Sequence, residues 1–390
     1  MIQYENDMNP ALCNVKPSGI RKFFSIAEEM DNVISLGVGE PDFLTPWHIR
    51  REGIDSLDRG ATRYTANAGL LSLRQEICAF YARRYHLQYR AENQVLVTVG
   101  GSEGIDMAIR TLVCPGDEVL VVEPSFVCYK PLVEVSGGVA VPLVTKEEDH
   151  FRLTAAALEA AITPKTKLLV FPYPNNRTGA VMRREDLEPI CRVLQKHKIY
   201  VLSDEIYSEL TYGGADHTSI AAMPGMAERT VVINGFSKTY SMTGWRIGYL
   251  AGPAEVIRGM ALLQQSFVLS VNSFAQWGAV EAMTGPQDCV EEMRQQFDIR
   301  RKAMMEALST IPNVSFAAPK GAFYIYLNHE KTGLDPVRFC AKLLDEYYVA
   351  CVPGSEYGPY AGCNTRLSCA TGLDDCLEGV DRIRKMVASL

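Results

Sequence analysis

The sequence predicts an α/β protein, with a large domain whose mostly parallel sheet lies between helices and a smaller α+β domain. The first observation is a series of short apolar runs separated by helical stretches, which is typical of parallel sheets covered on both faces. The second is that this alternation stops near residue 290, where a long helical pattern and paired strands follow. The runs cover residues 95–99, 118–122, 167–171, 200–203 and 230–233, and the helical stretches include 70–85, 103–113 and 184–197.

Three segments follow from this pattern. Residues 1–45 are predicted to form an N-terminal arm and part of the small domain, with a helix over 19–30 that Ser18 can cap. Residues 46–290 are predicted to form the large domain, and residues 291–390 the small C-terminal domain. The small domain's predicted elements are a helix reaching residue 308, strands at 314–316 and 323–327, a helix at 336–347, a strand ending at 368 and a helix at 373–386.

Composition excludes several classes of function. The chain has 390 residues, 47% hydrophobic and 22% charged, which is ordinary for a globular protein. A net charge of −7 makes nucleic acid and anionic membranes poor partners. The 11 cysteines are scattered without a CxxC pair, so we expect free thiols and no metal site. The N-terminus lacks a signal-peptide pattern and no apolar run reaches membrane-spanning length, so a cytoplasmic location is expected.

A single lysine follows the apolar run at 230–233. Burial at the end of such a strand lowers the pKa of Lys238 and makes its neutral amine a nucleophile. Ser237 and Arg246 lie in the same segment, 235–248, and can hold a phosphate beside that amine. A nucleophilic amine next to a phosphate site is what a covalently bound pyridoxal 5'-phosphate requires.

Segment 235–248 resembles the lysine-attachment motif of the class I/II aminotransferases, which are fold-type I enzymes dependent on pyridoxal phosphate. The resemblance extends from about residue 18 to the C-terminus. It implies that Lys238 binds the cofactor as a Schiff base and then acts as the catalytic base and acid. It also implies ping-pong transfer of an amino group from an L-amino acid to a 2-oxo acid. The expected acceptor is 2-oxoglutarate, because it is the usual acceptor in the family.

Residues that follow the predicted strands extend the resemblance, since ligands gather at the carboxyl ends of parallel strands. After 95–99, the turn of Gly101, Ser102 and Glu103 matches the family's phosphate-binding turn. After 118–122, Phe126 matches the aromatic residue that stacks on the cofactor ring. Read without the resemblance, a Gly-Gly-Ser turn is a weak signal and an aromatic residue beside a strand is usually part of the core.

Two further strand ends carry polar residues that the resemblance assigns to the cofactor. Asp204 follows 200–203 and matches the carboxylate that pairs with the pyridine nitrogen, although an Asp there is also a common helix N-cap. Tyr207, three residues on, matches the donor to the phenolic oxygen. Asn176 matches the asparagine that binds the same oxygen. Arg177 stands where the family has proline, so we predict either a trans Asn176–Arg177 bond in a rearranged loop or a costly cis bond.

Three more assignments rest on the resemblance. Arg366 matches the arginine that grips the substrate α-carboxylate, and Gly39 lies in a Gly-x-Gly-Glu-Pro-Asp-Phe stretch near the substrate. Tyr64 matches the tyrosine that reaches the phosphate of a neighbouring subunit, which predicts a homodimer. The alternative, that Tyr64 only packs against its own loop, stays open.

Other functions remain open from the sequence. A carbon–sulfur β-lyase uses the same fold and the same carbanion chemistry, and no residue excludes it. A cofactor-sensing regulator with a degenerate aminotransferase domain is disfavoured because Lys238, Asp204 and Arg366 are all present. The amino donor is also open: Phe23, Phe24 and Phe267 suit an apolar or aromatic side chain, whereas several arginines suit an acidic one.

Overall fold

A computed structural model describes residues 10–13, 15, 30 and 32–390. Within these residues the strands, in chain order, are β1 (Ile34–Ser35), β2 (Val95–Thr98), β3 (Glu118–Glu123), β4 (Val139–Val144), β5 (Thr166–Phe171), β6 (Tyr200–Asp204), β7 (Thr230–Gly235), β8 (Gly248–Ala251), β9 (Tyr324–Asn328), β10 (Val349–Ala350), β11 (Val352–Pro353) and β12 (Asn364–Ser368). The predicted helix at 19–30 lies almost entirely outside the described residues.

The α-helices are α1 (Pro10–Cys13), α2 (Trp47–Asp58), α3 (Leu71–Tyr85), α4 (Gly100–Leu112), α5 (Tyr129–Val135), α6 (Ala155–Ala161), α7 (Arg184–Gln195), α8 (Ala254–Phe267), α9 (Ser273–Thr284), α10 (Asp288–Ser309), α11 (Pro336–Tyr347) and α12 (Leu373–Ala388). The capping of α11 shows how local sequence fixes a boundary. The Asp335 side chain accepts hydrogen bonds from the N–H groups of Val337 and Arg338, both at 3.0 Å, while Pro336 needs no donor in the first turn.

The large sheet has seven strands in the order β2-β8-β7-β6-β5-β3-β4. Strand β8 runs antiparallel to both neighbours, and the other pairings are parallel. Alternate side chains of β5 enter opposite layers of the core, with Leu168 and Val170 on one side and Leu169 and Phe171 on the other. Because both faces are covered by helices, the strands are mostly apolar. The predicted α/β class and mostly parallel sheet are confirmed.

A second group of elements lies towards the C-terminus. Strands β11, β12 and β9 form a three-stranded antiparallel sheet, and β1 pairs in parallel with β10, which joins Ile34 to Val349. Helices α10, α11 and α12 contribute to the core beneath them through Phe297, Phe339 and Ile383. The predicted strand at 314–316 is wrong. Only Ser315 pairs, through an isolated β-bridge to Asn328, and its neighbours in the chain do not extend this pairing into a strand.

This topology determines where polar residues meet. The carboxyl ends of β2, β3, β5, β6 and β7 share one edge of the large sheet, since these strands run in the same direction. Strands β9 and β12 face that edge, so that side chains from both sheets line a common cavity. Across the described residues, no helix is both long enough and apolar enough to span a bilayer.

Candidate active site

One cavity of about 330 Å³ gathers almost all the side chains that the sequence singled out. It lies at the carboxyl edge of the large sheet, as expected for a parallel α/β protein. Glu103 and Tyr64 are the predicted residues that do not line it. The predicted residues that do are Gly39, Gly101, Ser102, Phe126, Asn176, Asp204, Tyr207, Ser237, Lys238, Arg246 and Arg366.

Lys238 lies just after β7, and its amine points towards the glycine-rich loop that follows β1. The amine donates a hydrogen bond to the carbonyl oxygen of Gly39 at 2.5 Å. Burial lowers its pKa from 10.5 to about 8; the Glu40 carboxylate opposes this shift, while the guanidinium groups of Arg366 and Arg246 add to it. A substantial fraction of the amine is therefore neutral near pH 8, as a nucleophile or a general base requires.

A concave anion site lies beside this lysine. Helix α4 begins at Gly100, whose φ of +72° places its backbone under the Arg246 guanidinium, and a Cβ there would lie 2.6 Å from Nη2. The first turn of α4 presents Gly101 and Ser102 to the cavity, and the buried Ser237 faces it from the end of β7. A helix N-terminus, two hydroxyls and an arginine are the groups that bind a phosphate, and the residues present fit one.

Glu103 has a different position from the other predicted residues of that turn. Its Oε2 accepts a short hydrogen bond from the backbone N–H of Val99, immediately before α4. Burial raises the pKa of its carboxyl, and the Val99 N–H opposes that shift. The Glu103 carboxylate therefore caps the start of α4 in the manner of a capping box. Its predicted contact with the cofactor stays a prediction.

Asp204 ends β6 at the floor of the cavity. Its Oδ2 accepts a hydrogen bond from the Tyr129 hydroxyl at 2.7 Å, and its Oδ1 accepts one from the N–H of Ile206 at 3.3 Å. Burial raises the pKa of this carboxyl, and the Tyr129 hydrogen bond opposes the shift. The residues that follow Asp204 form turns, so Asp204 is not the N-cap of a helix. Sequence reasoning missed Tyr129, which lies three residues after Phe126 at the start of α5.

A network of tyrosines and an amide lies opposite Asp204. The hydroxyls of Tyr207 and Tyr324 are 2.9 Å apart, and both rings are buried. Oδ1 of Asn176 accepts a hydrogen bond from Nη1 of Arg366 at 3.0 Å. The cis peptide bonds among the described residues are Glu123–Pro124 and Tyr173–Pro174, so the Asn176–Arg177 bond is trans and Asn176 still faces the cavity.

Arg366 projects from the middle of β12 into this network. Its Nη2 donates to the carbonyl oxygen of Gly37 at 2.6 Å, and its Cζ lies 4.3 Å from the ring centroid of Tyr324. The side chain is buried, yet its Nε has no hydrogen-bond partner among the described residues. Arg366 therefore presents a fixed guanidinium to the cavity, and a guanidinium binds a carboxylate through parallel hydrogen bonds.

Tyr64 lies apart from the cavity in a single chain. Its side chain is 85% exposed and lines a separate surface depression with residues 270–274. No three His, Cys, Asp or Glu side chains of the described residues lie together in a way that would hold a metal ion.

Comparison with known proteins agrees with this geometry. A family profile described as "Aminotransferase class I and II" matches residues 31–383. The chain is 44% identical to "Putative aminotransferase YugH" of Bacillus subtilis, over 96% of each chain, and 40% identical to "Aspartate aminotransferase" of Pyrococcus abyssi, over 97% of this chain and 98% of the relative. The chain belongs to the class I and II aminotransferases.

A solved structure described as an aromatic aminotransferase from Pyrococcus horikoshii OT3 has a TM-score of 0.90 at 37% identity, covering 95% of this chain and 99% of that one. The resemblance inferred from the motifs is therefore confirmed, as is the fold. The protein is an aminotransferase, an enzyme that transfers an amino group from an amino acid to a 2-oxo acid, and the family depends on pyridoxal phosphate.

Proposed function

We propose that this aminotransferase holds pyridoxal 5'-phosphate in the cavity through its own predicted residues. Lys238 carries the cofactor covalently, and the anion site of Gly101, Ser102, Ser237 and Arg246 holds the phosphate. One observation supports the proposal most strongly: the cavity contains both an amine with a lowered pKa and an anion site next to the backbone of Gly100. When bound, the cofactor supplies an electron-withdrawing ring that accepts the electron pair left by loss of the α-proton.

The other residues of the cavity orient and tune this chemistry. With the cofactor bound, Asp204, which is kept in place by Tyr129, would favour the protonated form of the ring nitrogen. Asn176 and Tyr207 would bind the phenolic oxygen, and Phe126 would hold the ring, since all three residues line the cavity. Arg366 binds the α-carboxylate of the amino acid close to Gly39, which holds the Cα–H bond within reach of Lys238. Lys238 then takes and returns the α-proton as general base and acid.

The reaction cycle has two halves that use the same groups. An L-amino acid leaves as a 2-oxo acid, and a second 2-oxo acid, which we propose to be 2-oxoglutarate, enters the same cavity and leaves as an amino acid. Because the two substrates bind in turn at one α-carboxylate site, ping-pong kinetics are expected.

We also propose a homodimer in which Tyr64 reaches the phosphate of the partner's site. Its support is an exposed aromatic side chain beside the exposed Phe274, since clustered exposed apolar groups mark interfaces. A sedimentation experiment that finds only monomer in the cofactor-bound enzyme would contradict the dimer. The division into a large domain over 46–290 and a small domain built from the remaining residues is likewise our proposal. Its support is that the seven-stranded sheet is separate from the three-stranded and two-stranded sheets.

The visible absorbance spectrum of the purified, cofactor-loaded enzyme tests the proposed reaction. Single L-amino acids added without an acceptor should bleach the band of the lysine-bound cofactor and release an equal amount of 2-oxo acid. Addition of 2-oxoglutarate should then restore the band. Pyruvate and ammonia accumulating from a cysteine conjugate, with the band unchanged, would identify a β-lyase instead. A protein that cannot be loaded with cofactor would contradict the whole proposal.

A further inference from the structure

Arg177 presents an unusual buried charge beside the active site. Its side chain is completely buried, and its Nε, Nη1 and Nη2 have no hydrogen-bond partner among the described residues. Arg177 forms no ion pair with the described residues, although the Glu123 carboxylate is close enough to favour its charged form. Its φ of +150° is also one that a residue with a side chain rarely adopts. The loop therefore holds this side chain in place in spite of both backbone and solvation costs.

A buried guanidinium without an acceptor is a costly arrangement. Buried charges in proteins are normally paired and hydrogen-bonded, so each exception needs an explanation. Burial lowers the Arg177 pKa to about 10, and the group remains a cation at neutral pH. A planar fork of N–H donors with no partner is well suited to a carboxylate, which accepts two parallel hydrogen bonds from it.

The cation lies immediately behind one wall of the active-site cavity. Its Cζ is 3.3 Å from the ring centroid of Tyr357, and Tyr357 lines the cavity. The Cζ of Arg366 is 5.3 Å from the same ring. The two guanidinium groups thus contact one aromatic ring, and Asn176, the neighbour of Arg177, is hydrogen-bonded to Arg366.

The aromatic wall is not locked in place by a hydrogen bond. The hydroxyl of Tyr357 is buried without a partner among the described residues. The ring belongs to a short 3₁₀ turn, Gly354–Tyr357, which ends at Gly358 with a φ of +123°. A side-chain rotation of Tyr357 would therefore break no hydrogen bond, but it would give up the contacts of this ring with both guanidinium groups.

We propose that Arg177 is a second substrate-binding residue, which receives an anionic group at the far end of the substrate when Tyr357 turns aside. Arg366 holds the α-carboxylate at the same time, so the cavity selects amino acids and 2-oxo acids with an acidic side chain. This inference rests on the proposed function, because it takes the position of Arg366 as the α-carboxylate site. Charge compensation by the substrate explains why an unpaired arginine is kept where the family has proline.

Matched substrates test the proposal on the cofactor-loaded enzyme. L-glutamate and L-glutamine have the same shape and differ in the charge of the distal group, as do L-aspartate and L-asparagine. We expect kcat/KM for the acids to exceed that for the amides by about 10²-fold, the value of charge-assisted hydrogen bonds from a guanidinium. Arg177→Met should remove most of this preference by lowering kcat/KM for the acids, with little change for the amides. Arg177→Lys should keep part of it.

A matched control variant separates recognition from packing. Arg301→Met removes another buried arginine, which is bound to Asp298 and the carbonyl oxygen of Pro319, away from the cavity. It should leave the acid-to-amide ratio unchanged. If Arg177→Met instead lowers kcat/KM for acids and amides by the same factor, Arg177 only supports the wall and the proposal is overturned.

A binding measurement makes the test independent of turnover and of the variants' stability. Calorimetry on the wild-type holoenzyme should show succinate binding at least about tenfold more tightly than butyrate, which lacks the second carboxylate. Equal affinities would overturn the proposal even if no Arg177 variant folds. Failure of the proposed function looks different: no amino acid would then bleach the cofactor band, whatever its side chain.

Discussion

The lysine in the cavity should destabilise the folded, cofactor-free protein while it is charged. Its pKa falls from 10.5 to about 8, and each unit corresponds to about 1.36 kcal/mol. The charged amine therefore lowers the free energy of unfolding by about 3 kcal/mol at pH 7. Lys238→Met removes this penalty together with the hydrogen bond to Gly39, which contributes about 1 kcal/mol. We expect the cofactor-free variant to be more stable than the wild type by about 2 kcal/mol at pH 7.

The advantage of the variant should depend on pH with a definite sign. Below the folded pKa, Lys238 is protonated in both states and the penalty is complete. Between about 8 and 10.5 the unfolded chain keeps a proton that the folded protein has lost, so wild-type stability rises with pH. Urea unfolding of both proteins should show the difference changing by about 3 kcal/mol from pH 7 to pH 10.5. A variant that is less stable than the wild type at pH 7, or a stability difference independent of pH, would show that the charged Lys238 does not destabilise the folded protein.

Three further predictions concern the contacts of the site. Gly100→Ala places a methyl group 2.6 Å from Nη2 of Arg246, so pyridoxal phosphate should bind at least about tenfold more weakly in a fluorescence titration. Gly116→Ala is the control, because Gly116 has a similar positive φ but lies in open space. An equal loss of affinity in both variants would contradict the assignment of the phosphate site. Arg366→Lys keeps the charge but loses the fork of donors, so kcat/KM should fall by about 10²-fold with a rise in KM; an unchanged KM would place the α-carboxylate elsewhere. Tyr129→Phe removes the hydrogen bond that opposes the raised pKa of Asp204, so the acid limb of the kcat/KM profile against pH should move to higher pH. Superimposable profiles of the variant and the wild type would exclude a role of Tyr129 in setting the pKa of Asp204.

The fold could be predicted wherever a strand is apolar on both faces. Strands β3, β5, β6 and β7 begin and end within two residues of their predicted bounds. The sequence did not reveal β4, an edge strand that contains Pro142 and exposes Val139, because proline and exposure both argue against a strand in the interior of a sheet. Strand β8 was missed because it has only four residues and begins at Gly248, the last residue of the lysine segment.

The candidate site could be predicted where one short motif carries the function. Lys238, Asp204 and Arg366 each stand in a recognisable local pattern, and the fold brings them to one cavity. Tyr129 and Tyr324 were missed because their partners are distant in the chain: the Tyr207–Tyr324 contact joins residues 117 positions apart. The environment of Arg177 was equally hidden, since only the folded loop shows which side chain covers it.

The identity of the lysine that carries the cofactor tests the central claim most directly. The lysine–cofactor bond of the holoenzyme can be fixed by borohydride reduction, and peptide mass spectrometry then locates the label. We predict stoichiometric labelling of Lys238, with no label in Lys238→Met treated in the same way. A label on any other lysine, or a labelled Lys238→Met protein, would contradict it.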